Sequence, residues 1–316
     1  MSSIPILLLT FKRPDTTQKV LDSIRIYKPK RFYIASDGYR LNQPGEKEKV
    51  EATRKLIIDQ IDWPCDIKTL FQNENLGCRL GVSSAIDWFF EYESEGIILE
   101  DDCVPNVSFY SYVDQLLSWY KNDQRIMSIS GHNFNFDAYF NLKLTKNFVF
   151  SRYHHCWGWA TWKRAWQYYD REMANWPILR DSNWLLTIGD GNFFFRDYWT
   201  YIFERAYQNK IDSWAYRWLF SCWSQYGLSV LPNTSLIQNV GFGEEATHTK
   251  RHQDRISRDD FNYEAKYMNS ISFQGQSYMA RNFELDNTID HCWFNIGLIS
   301  SIKRRLKSIT TSTNSY

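Results

Sequence analysis

The chain has 316 residues, with 37 basic and 36 acidic side chains and a net charge of +1. This balance excludes the global positive field that draws a protein onto nucleic acid, so binding must come from a local site. The length exceeds the usual domain of about 100 to 150 residues, and we expect one α/β body in two halves. Aromatic residues make up 17% of the chain and include 14 Trp, which can fill a core or offer flat faces to sugar rings.

The six cysteines are scattered and contain no CxxC pair, which favours reduced thiols in a cytoplasmic protein. An apolar stretch at residues 4–9 has no basic segment before it and is too short for a signal peptide or a membrane span. We therefore expect a cytoplasmic location.

Short β-rich runs alternate with helical periodicity in the first 130 residues. The runs cover residues 4–10, 31–36, 66–71, 96–99 and 126–130. This alternation predicts βαβ units around a mostly parallel, doubly wound sheet flanked by helices. Asp15 is the expected cap of the first helix, whose buried face carries Val20, Leu21 and Ile24. Further helices are expected around residues 50–61, 82–90 and 113–120.

Polar clusters follow four of these predicted strands, at residues 10–14, 36–38, 73–77 and 100–102. Loops and helix N-termini converge at the carboxyl ends of parallel strands, where such sheets bind their ligands. We therefore expect one site built from all four clusters.

The fourth cluster is the most informative, because an apolar run ends there at three consecutive carboxylates, Glu100, Asp101 and Asp102. Adjacent anions at the end of a buried strand repel one another unless a cation neutralises them. Mn²⁺ or Mg²⁺ takes oxygen ligands and commonly shares its coordination with substrate phosphates. The alternative is a solvated acidic turn.

Beyond residue 130 the periodicity is less regular and the aromatic residues crowd together. We expect helices around residues 198–208 and 214–225, a strand at 228–231 and a flexible loop at 241–249. The tryptophans from Trp157 to Trp162 either wall a sugar pocket or fill the core. The His154-His155 pair lacks a second pair of ligands at metal spacing, which argues against zinc.

The ordered set of motifs resembles the GT-A nucleotide-sugar glycosyltransferases, most closely the N-acetylglucosaminyltransferase I type and bacterial family 2-like glycosyltransferases. The motifs are an apolar first strand with an Arg-Pro turn, the carboxylate triplet, Asn75-Leu76-Gly77, the tryptophan cluster, and Gly241-Phe242-Gly243 followed by residues 246–248. The resemblance covers about residues 4 to 250. It implies a GT-A (Rossmann-like) mixed sheet with an aromatic-rich acceptor lobe.

The resemblance also implies a function. A metal-dependent, inverting enzyme would transfer a sugar from a nucleoside diphosphate donor, UDP-linked, to a saccharide acceptor in cell-surface polysaccharide or glycan biosynthesis. Residues 1–130 would bind the donor, and 131–250 would form the acceptor and catalytic half of the same domain. Residues 251–316 would be an extension whose basic tail either docks on the body or contacts anionic lipid.

The family implies specific donor contacts. Arg13 would contact the diphosphate or nucleotide, and Asp37 the uracil or ribose. Arg79 would add positive charge near the phosphates, or else be a solvated residue at a helix start. Asp102 would ligate the metal directly, while Glu100 and Asp101 would hold ribose, sugar hydroxyls or metal-bound water.

Two residues complete the implied site. His248 would finish the metal coordination or touch the diphosphate, or else be structural. Asp212 is the implied general base, with a one-residue offset from the family pattern because Ser213 precedes Trp214. Asp212 is alternatively an N-cap of the following helix, and Asp190 and Asp197 are weaker candidates for the base.

Two rival functions remain open. A sugar nucleotidyltransferase would share the sheet and the metal carboxylates, but it is expected to have a glycine-rich loop after the first strand, and residues 10–15 contain no glycine. A carbohydrate-binding protein would use exposed tryptophans and would need neither the carboxylate triplet nor Asp212.

Overall fold

The computed structural model describes residues 4–133, 147–241 and 279–298. Its strands are β1 Ile6–Thr10, β2 Arg31–Ser36, β3 Asp66–Phe71, β4 Glu95–Glu100, β5 Cys103–Pro105, β6 Ile126–Ser130, β7 Phe148–Ser151, β8 Trp159–Trp162, β9 Leu228–Pro232 and β10 Ile237–Asn239. Its helices are α1 Pro14–Tyr27, α2 Glu46–Asp59, α3 Gly77–Tyr92, α4 Val107–Tyr120, α5 Lys163–Trp166, α6 Trp176–Arg180, α7 Trp184–Ile188, α8 Phe193–Tyr207, α9 Trp214–Ser224 and α10 Phe283–Thr288, which continues into a π-helical turn, Ile289–Trp293.

Eight of the strands form one mixed sheet in the order β3-β2-β1-β4-β8-β6-β9-β7. The first four are parallel to one another, and β8 runs antiparallel between β4 and β6. Beyond it β6 and β9 are parallel, and β7 closes the edge antiparallel to β9. The expected α/β fold with a large mixed sheet is confirmed. Because the sheet includes strands from both sides of residue 130, the two predicted halves share it.

Helices cover both faces of the sheet because the side chains of each strand alternate between them. Ile6 and Leu8 pack with α1 and α4 on one face, whereas Leu7 and Leu9 pack with α3 and α9 on the other. Both faces are therefore buried, and the carboxyl ends of the parallel strands are left for loops.

The start of α1 corrects one prediction. Arg13 is the N-cap residue and makes no side-chain capping bond, while Asp15 lies inside the first turn. Pro14 at the first helical position has the backbone angle that a helix needs, so the helix begins before Asp15. An acidic residue in this turn still interacts favourably with the helix dipole.

The described part of the C-terminal region docks on the body. Leu285, Ile289 and Ile296 are buried in a third core cluster with helices α6 to α9, and Arg152 forms a buried ion pair with Asp290 at 2.6 Å. This favours docking for residues 279–298, whereas the basic tail at 303–305 lies outside the described residues. No helix in the described ranges combines the length and apolar character that crossing a bilayer requires.

Candidate active site at the carboxyl ends of the strands

A cleft with a volume of about 380 Å³ lies at the carboxyl ends of β1 to β4. One wall comes from the loops that follow these four strands, and the facing wall comes from Trp157 and the start of α9. Of the predicted site residues, the cleft is lined by Arg13, Asp37, Glu100, Asp101, Asp102 and Asp212.

Arg13 is the cation of the carboxylate triplet. Its guanidinium bonds Asp101 and lies 2.9 Å from Oδ2 of Asp102, and Asp101 also accepts the Phe11 N–H at 3.2 Å. Burial by itself would lower the pKa of Arg13, but the charges of Asp101 and Asp102 raise it. Arg13 therefore stays charged and links the loop after β1 to the end of β4.

The triplet carries more negative charge than Arg13 neutralises. Burial and the neighbouring charges of Asp102 and Asp101 raise the pKa of Glu100 to about 8, although Arg13 opposes the shift. No second cation pairs with the triplet anywhere in the described residues. The site therefore has an electrostatic preference for an added positive charge.

Asp102 lies against the backbone of Gly241. The Val240 N–H donates to the Asp102 carbonyl at 2.8 Å, and β10 pairs with β5 next to it. A Cβ on Gly241 would overlap Oδ2 of Asp102 and come within 2.8 Å of Nη1 of Arg13. A side chain at position 241 would therefore displace Asp102 or Arg13 from its present position. His248 lies outside the described residues.

Asp37 organises the loop between β3 and α3. Its Oδ1 accepts the N–H groups of Gly38 at 2.9 Å and Leu76 at 2.8 Å, and its Oδ2 accepts the Gly77 N–H at 3.1 Å and the Asn75 amide at 2.9 Å. These four donors use the acceptor capacity of the carboxylate. Contact with a nucleotide base or ribose stays a prediction for Asp37.

Two basic residues lie beside this wall, of which Lys12 belongs to the predicted cluster at residues 10–14 and Arg40 was missed from sequence. Arg40 lines the cleft and donates through Nε to Glu46 at 2.9 Å, while Lys12 pairs with Glu46 at 2.8 Å. These bonds lower the pKa of Glu46 to about 2, with the Arg40 bond the largest cause. Arg40 lies six positions from Glu46 in the chain and Lys12 lies 34 positions from it. These separations form no local pattern from which the three residues could be grouped.

Asp212 lies on the facing wall and bonds the other side of the cleft. Its two carboxylate oxygens accept the backbone N–H groups of Cys78 and Arg79, each at 3.0 Å. Both N–H groups lie in the first turn of α3, where the helix itself offers them no acceptor. The predicted alternative, an N-cap of the next helix, is wrong, because Ser213 holds that position. Asp212 instead caps α3 across the cleft, and its residue remains exposed.

The Arg79 side chain forms its ion pair outside the cleft lining. Its guanidinium lies 3.5 Å from Glu172, and its side chain is not among those that line the cleft. The predicted role of Arg79 near the phosphates stays a prediction, and its backbone N–H has the clearer task of holding Asp212.

The other sequence candidates are separated by the structure. Trp157 lines the cleft, whereas Trp159 and Trp162 are buried in β8, so the tryptophan cluster divides between wall and core. Asp190 pairs with Arg152 at 2.9 Å and Asp197 with Arg196 at 2.7 Å, both outside the cleft lining.

The described residues contain no group of three His, Cys, Asp or Glu side chains arranged to hold a metal ion by themselves. This applies to the His154-His155 pair, where Nδ1 of His154 lies 2.9 Å from the Ser128 hydroxyl. A cation at the triplet would therefore need ligands from a bound phosphate or from water.

Comparison with known proteins does not assign this chain to a family. No family model matches the chain, and no curated protein matches it in sequence. Among solved structures, HddC from Yersinia pseudotuberculosis is 12% identical, with a TM-score of 0.26. That match covers 36% of this chain and 54% of HddC, about half its length. A likeness at this level carries no argument about fold or function.

Proposed function

We propose that this chain is a metal-dependent, inverting glycosyltransferase of the GT-A class that transfers a sugar from a UDP-linked donor to a saccharide acceptor. The observation that carries the proposal is that one cleft holds the Arg13-carboxylate group on one wall and Asp212 on the other. A diphosphate donor needs a charged group such as the one around Arg13, and an acceptor hydroxyl needs a carboxylate such as Asp212 to take its proton.

The triplet fits a divalent cation that it shares with a phosphate ligand. Two carboxylates, Asp101 and Asp102, share the one guanidinium of Arg13, and burial together with these two neighbouring charges raises the pKa of Glu100. Asp102 would hold the ion. When bound, Mn²⁺ or Mg²⁺ would neutralise charge that develops on the departing diphosphate. Arg13 would add fixed positive charge next to the same phosphates.

Asp212 is proposed as the base that takes the proton of the acceptor hydroxyl. The two N–H groups of α3 orient its carboxylate. A hydroxyl deprotonated there would attack the anomeric carbon in one displacement, with the diphosphate leaving toward Arg13. One base on the face opposite the leaving group gives inversion.

The rivals have less support. The loop after β1 has no glycine, and α1 begins directly at Pro14, unlike the phosphate loop expected of a nucleotidyltransferase. A carbohydrate-binding protein would not need Asp101 and Asp102 clamped beside Arg13.

The test is a thermal-shift titration with UDP, with and without Mn²⁺, followed by a screen of nucleotide sugars for metal-dependent hydrolysis and transfer. We expect Asp102→Ala to weaken metal-dependent UDP binding at least tenfold, by analogy with other losses at metal sites. We expect Asp212→Asn to bind UDP normally and lose about 10²- to 10⁴-fold in kcat, the usual contribution of a general base.

Asp59→Asn, an exposed change at the end of α2, is the matched control and should leave both readouts unchanged. Absence of any metal-dependent shift with UDP in the wild type would count against the donor class. Wild-type turnover in Asp212→Asn would remove Asp212 as the base.

A further inference from the structure

Arg217, on α9, is a buried cation whose hydrogen bonds all go to uncharged groups. It is 1% exposed. Its Nε donates to the Arg171 carbonyl at 2.8 Å, and its Nη1 to the Ser213 carbonyl at 3.0 Å and the Ile211 carbonyl at 3.5 Å. Its Nη2 donates to Oδ1 of Asn209 at 2.9 Å and to the Ala206 carbonyl.

No carboxylate forms an ion pair with Arg217 among the described residues. Burying a charge that has no ion pair is costly, and these five acceptors, together with the nearby charges of Glu172 and Asp212, offset the cost. A side chain needed for packing alone would be apolar at such a position. The guanidinium offers five N–H groups in a fixed plane, which suits it to fixing several carbonyls of an irregular segment at once.

The segment fixed in this way carries Asp212. Ile211 and Ser213, whose carbonyls Arg217 binds, are the two neighbours of Asp212 in the chain. Ala206, in the last turn of α8, and Asn209 accept hydrogen bonds from Arg217 where the connection between α8 and α9 begins. The backbone on both sides of the carboxylate is therefore tied to one buried group.

Arg217 also supports the partner of Asp212. It binds the carbonyl of Arg171, the neighbour of Glu172, and Glu172 pairs with the Arg79 side chain. The Arg79 N–H in turn donates to Asp212. Arg217 is therefore connected to Asp212 in two ways: through the backbone on both sides of Asp212, and through Arg171, Glu172 and Arg79.

We infer that Arg217 is a positioning residue for Asp212, holding the carboxylate at the start of α3 where an acceptor hydroxyl can meet it. This inference rests on the proposed function for its catalytic consequence, but the positioning itself can be measured without turnover. Misplacing a reacting group by about 1 Å can cost about 10²-fold in rate.

The direct readout is hydrogen exchange at the amides of Cys78 and Arg79. These groups lie in the first turn of α3, where no intrahelical acceptor is available, so their protection depends on Asp212. The test compares wild type, Arg217→Lys, and Asp212→Ala as the reference for complete loss of the acceptor. Lysine keeps the charge but cannot reproduce the planar set of five donors.

Arg164→Lys is the matched control. Arg164 donates to the carbonyls of Lys121, Ile126 and Tyr120, at 2.7 to 3.0 Å, away from the cleft. We expect Arg217→Lys to raise exchange at Cys78 and Arg79 at least tenfold, close to Asp212→Ala, and Arg164→Lys to change it less than twofold.

The kinetic arm uses whichever donor the wild type accepts. We expect kcat to fall about 10- to 100-fold in Arg217→Lys while UDP binding with Mn²⁺ changes less than twofold. If the wild type turns over no donor, the proposed function fails, and the exchange arm still decides the role of Arg217.

Unchanged exchange at both amides in folded Arg217→Lys would overturn the inference, as would a rise spread evenly over the whole chain. If Arg217→Lys does not fold, Asn209→Gly takes its place, because it removes one acceptor and suits the left-handed backbone there (φ 56°). That variant should raise exchange at the same two amides by a smaller factor, and no change would equally contradict the inference.

Discussion

The parallel half of the sheet, β1 to β4, brings charged side chains to the cleft at its strand ends, whereas the half that follows buries two arginines in an aromatic-rich part of the chain. Arg13 and Asp102 lie in loops that line the cleft. Beyond residue 130 come Arg152 and Arg217, which are almost fully buried, together with 11 of the 14 Trp and all six His. The two halves meet at the cleft.

This contrast separates the groups that would touch a ligand from those that fix them in place. In the first half single residues do both, as when Asp37 lines the cleft and also binds the loop before α3. On the other side the tasks are divided, because Asp212 lines the cleft and Arg217 holds its segment. Rigid support outside the cleft is what keeps a reactive group in a productive geometry.

The largest expected effect tests the aromatic core of the second half. Trp199 is fully buried and packs against Phe203, Trp223 and Phe294. We expect Trp199→Ala to lower the free energy of unfolding by about 3 to 5 kcal/mol, because it leaves a large cavity. Urea unfolding followed by circular dichroism measures the loss.

Phe193→Ala is the control for that change, since Phe193 lies on the same helix but is 61% exposed. It should cost less than about 1 kcal/mol. A similar loss in both variants would mean that the second half does not depend on its buried core in the way described.

The next prediction tests the first half through Asp37→Asn. The amide keeps one oxygen for Gly38 and Leu76, but its NH₂ would face the donors of Asn75 and Gly77. Two donors then lose their acceptor, and we expect the free energy of unfolding to fall by about 2 to 3 kcal/mol. Asp59→Asn, which affects only an exposed pair with Lys55, should cost about 0.5 kcal/mol or less. Equal losses would refute the organising role of Asp37.

The first half was also the easier one to predict. Its strands at residues 31–36 and 66–71 have the predicted bounds, as does β6 at 126–130 in the other half, because a continuous β-rich run between helical periods is a local signal. Strands β5, β7, β8 and β10 have three or four residues each and were missed. Their pairing partners lie far along the chain, as when β8 inserts between β4 and β6.

The same limit applies to the site. The carboxylates at the end of β4 and Asp212 could be proposed from sequence because they stand in recognisable segments, and the structure brings them into one cleft. The bonds of Asp212 to Cys78 and Arg79 span more than 130 residues and use backbone N–H groups, which leave no mark on the sequence. Arg217 was missed for this reason, since four of its five acceptors are backbone carbonyls.

The smallest expected effect is the contribution of His155, one of the six histidines that all lie beyond residue 131, to the pH dependence of stability. Burial lowers the pKa of His155 from its ordinary 6.5 to about 3. Below pH 6.5 the unfolded chain therefore binds a proton that the folded chain refuses, so this residue makes stability fall as the pH falls. Between pH 7 and pH 5 the loss is about 2 kcal/mol.

His155→Gln removes that titration. The difference in unfolding free energy between wild type and variant should therefore shift by about 2 kcal/mol against the wild type from pH 7 to pH 5. Ile98→Val, a change in the buried β4 strand, binds no proton in either state, so its difference from wild type should stay constant. A constant difference for His155→Gln as well would show that His155 is protonated in the folded protein at pH 5, and the acid response would then have to come from other groups.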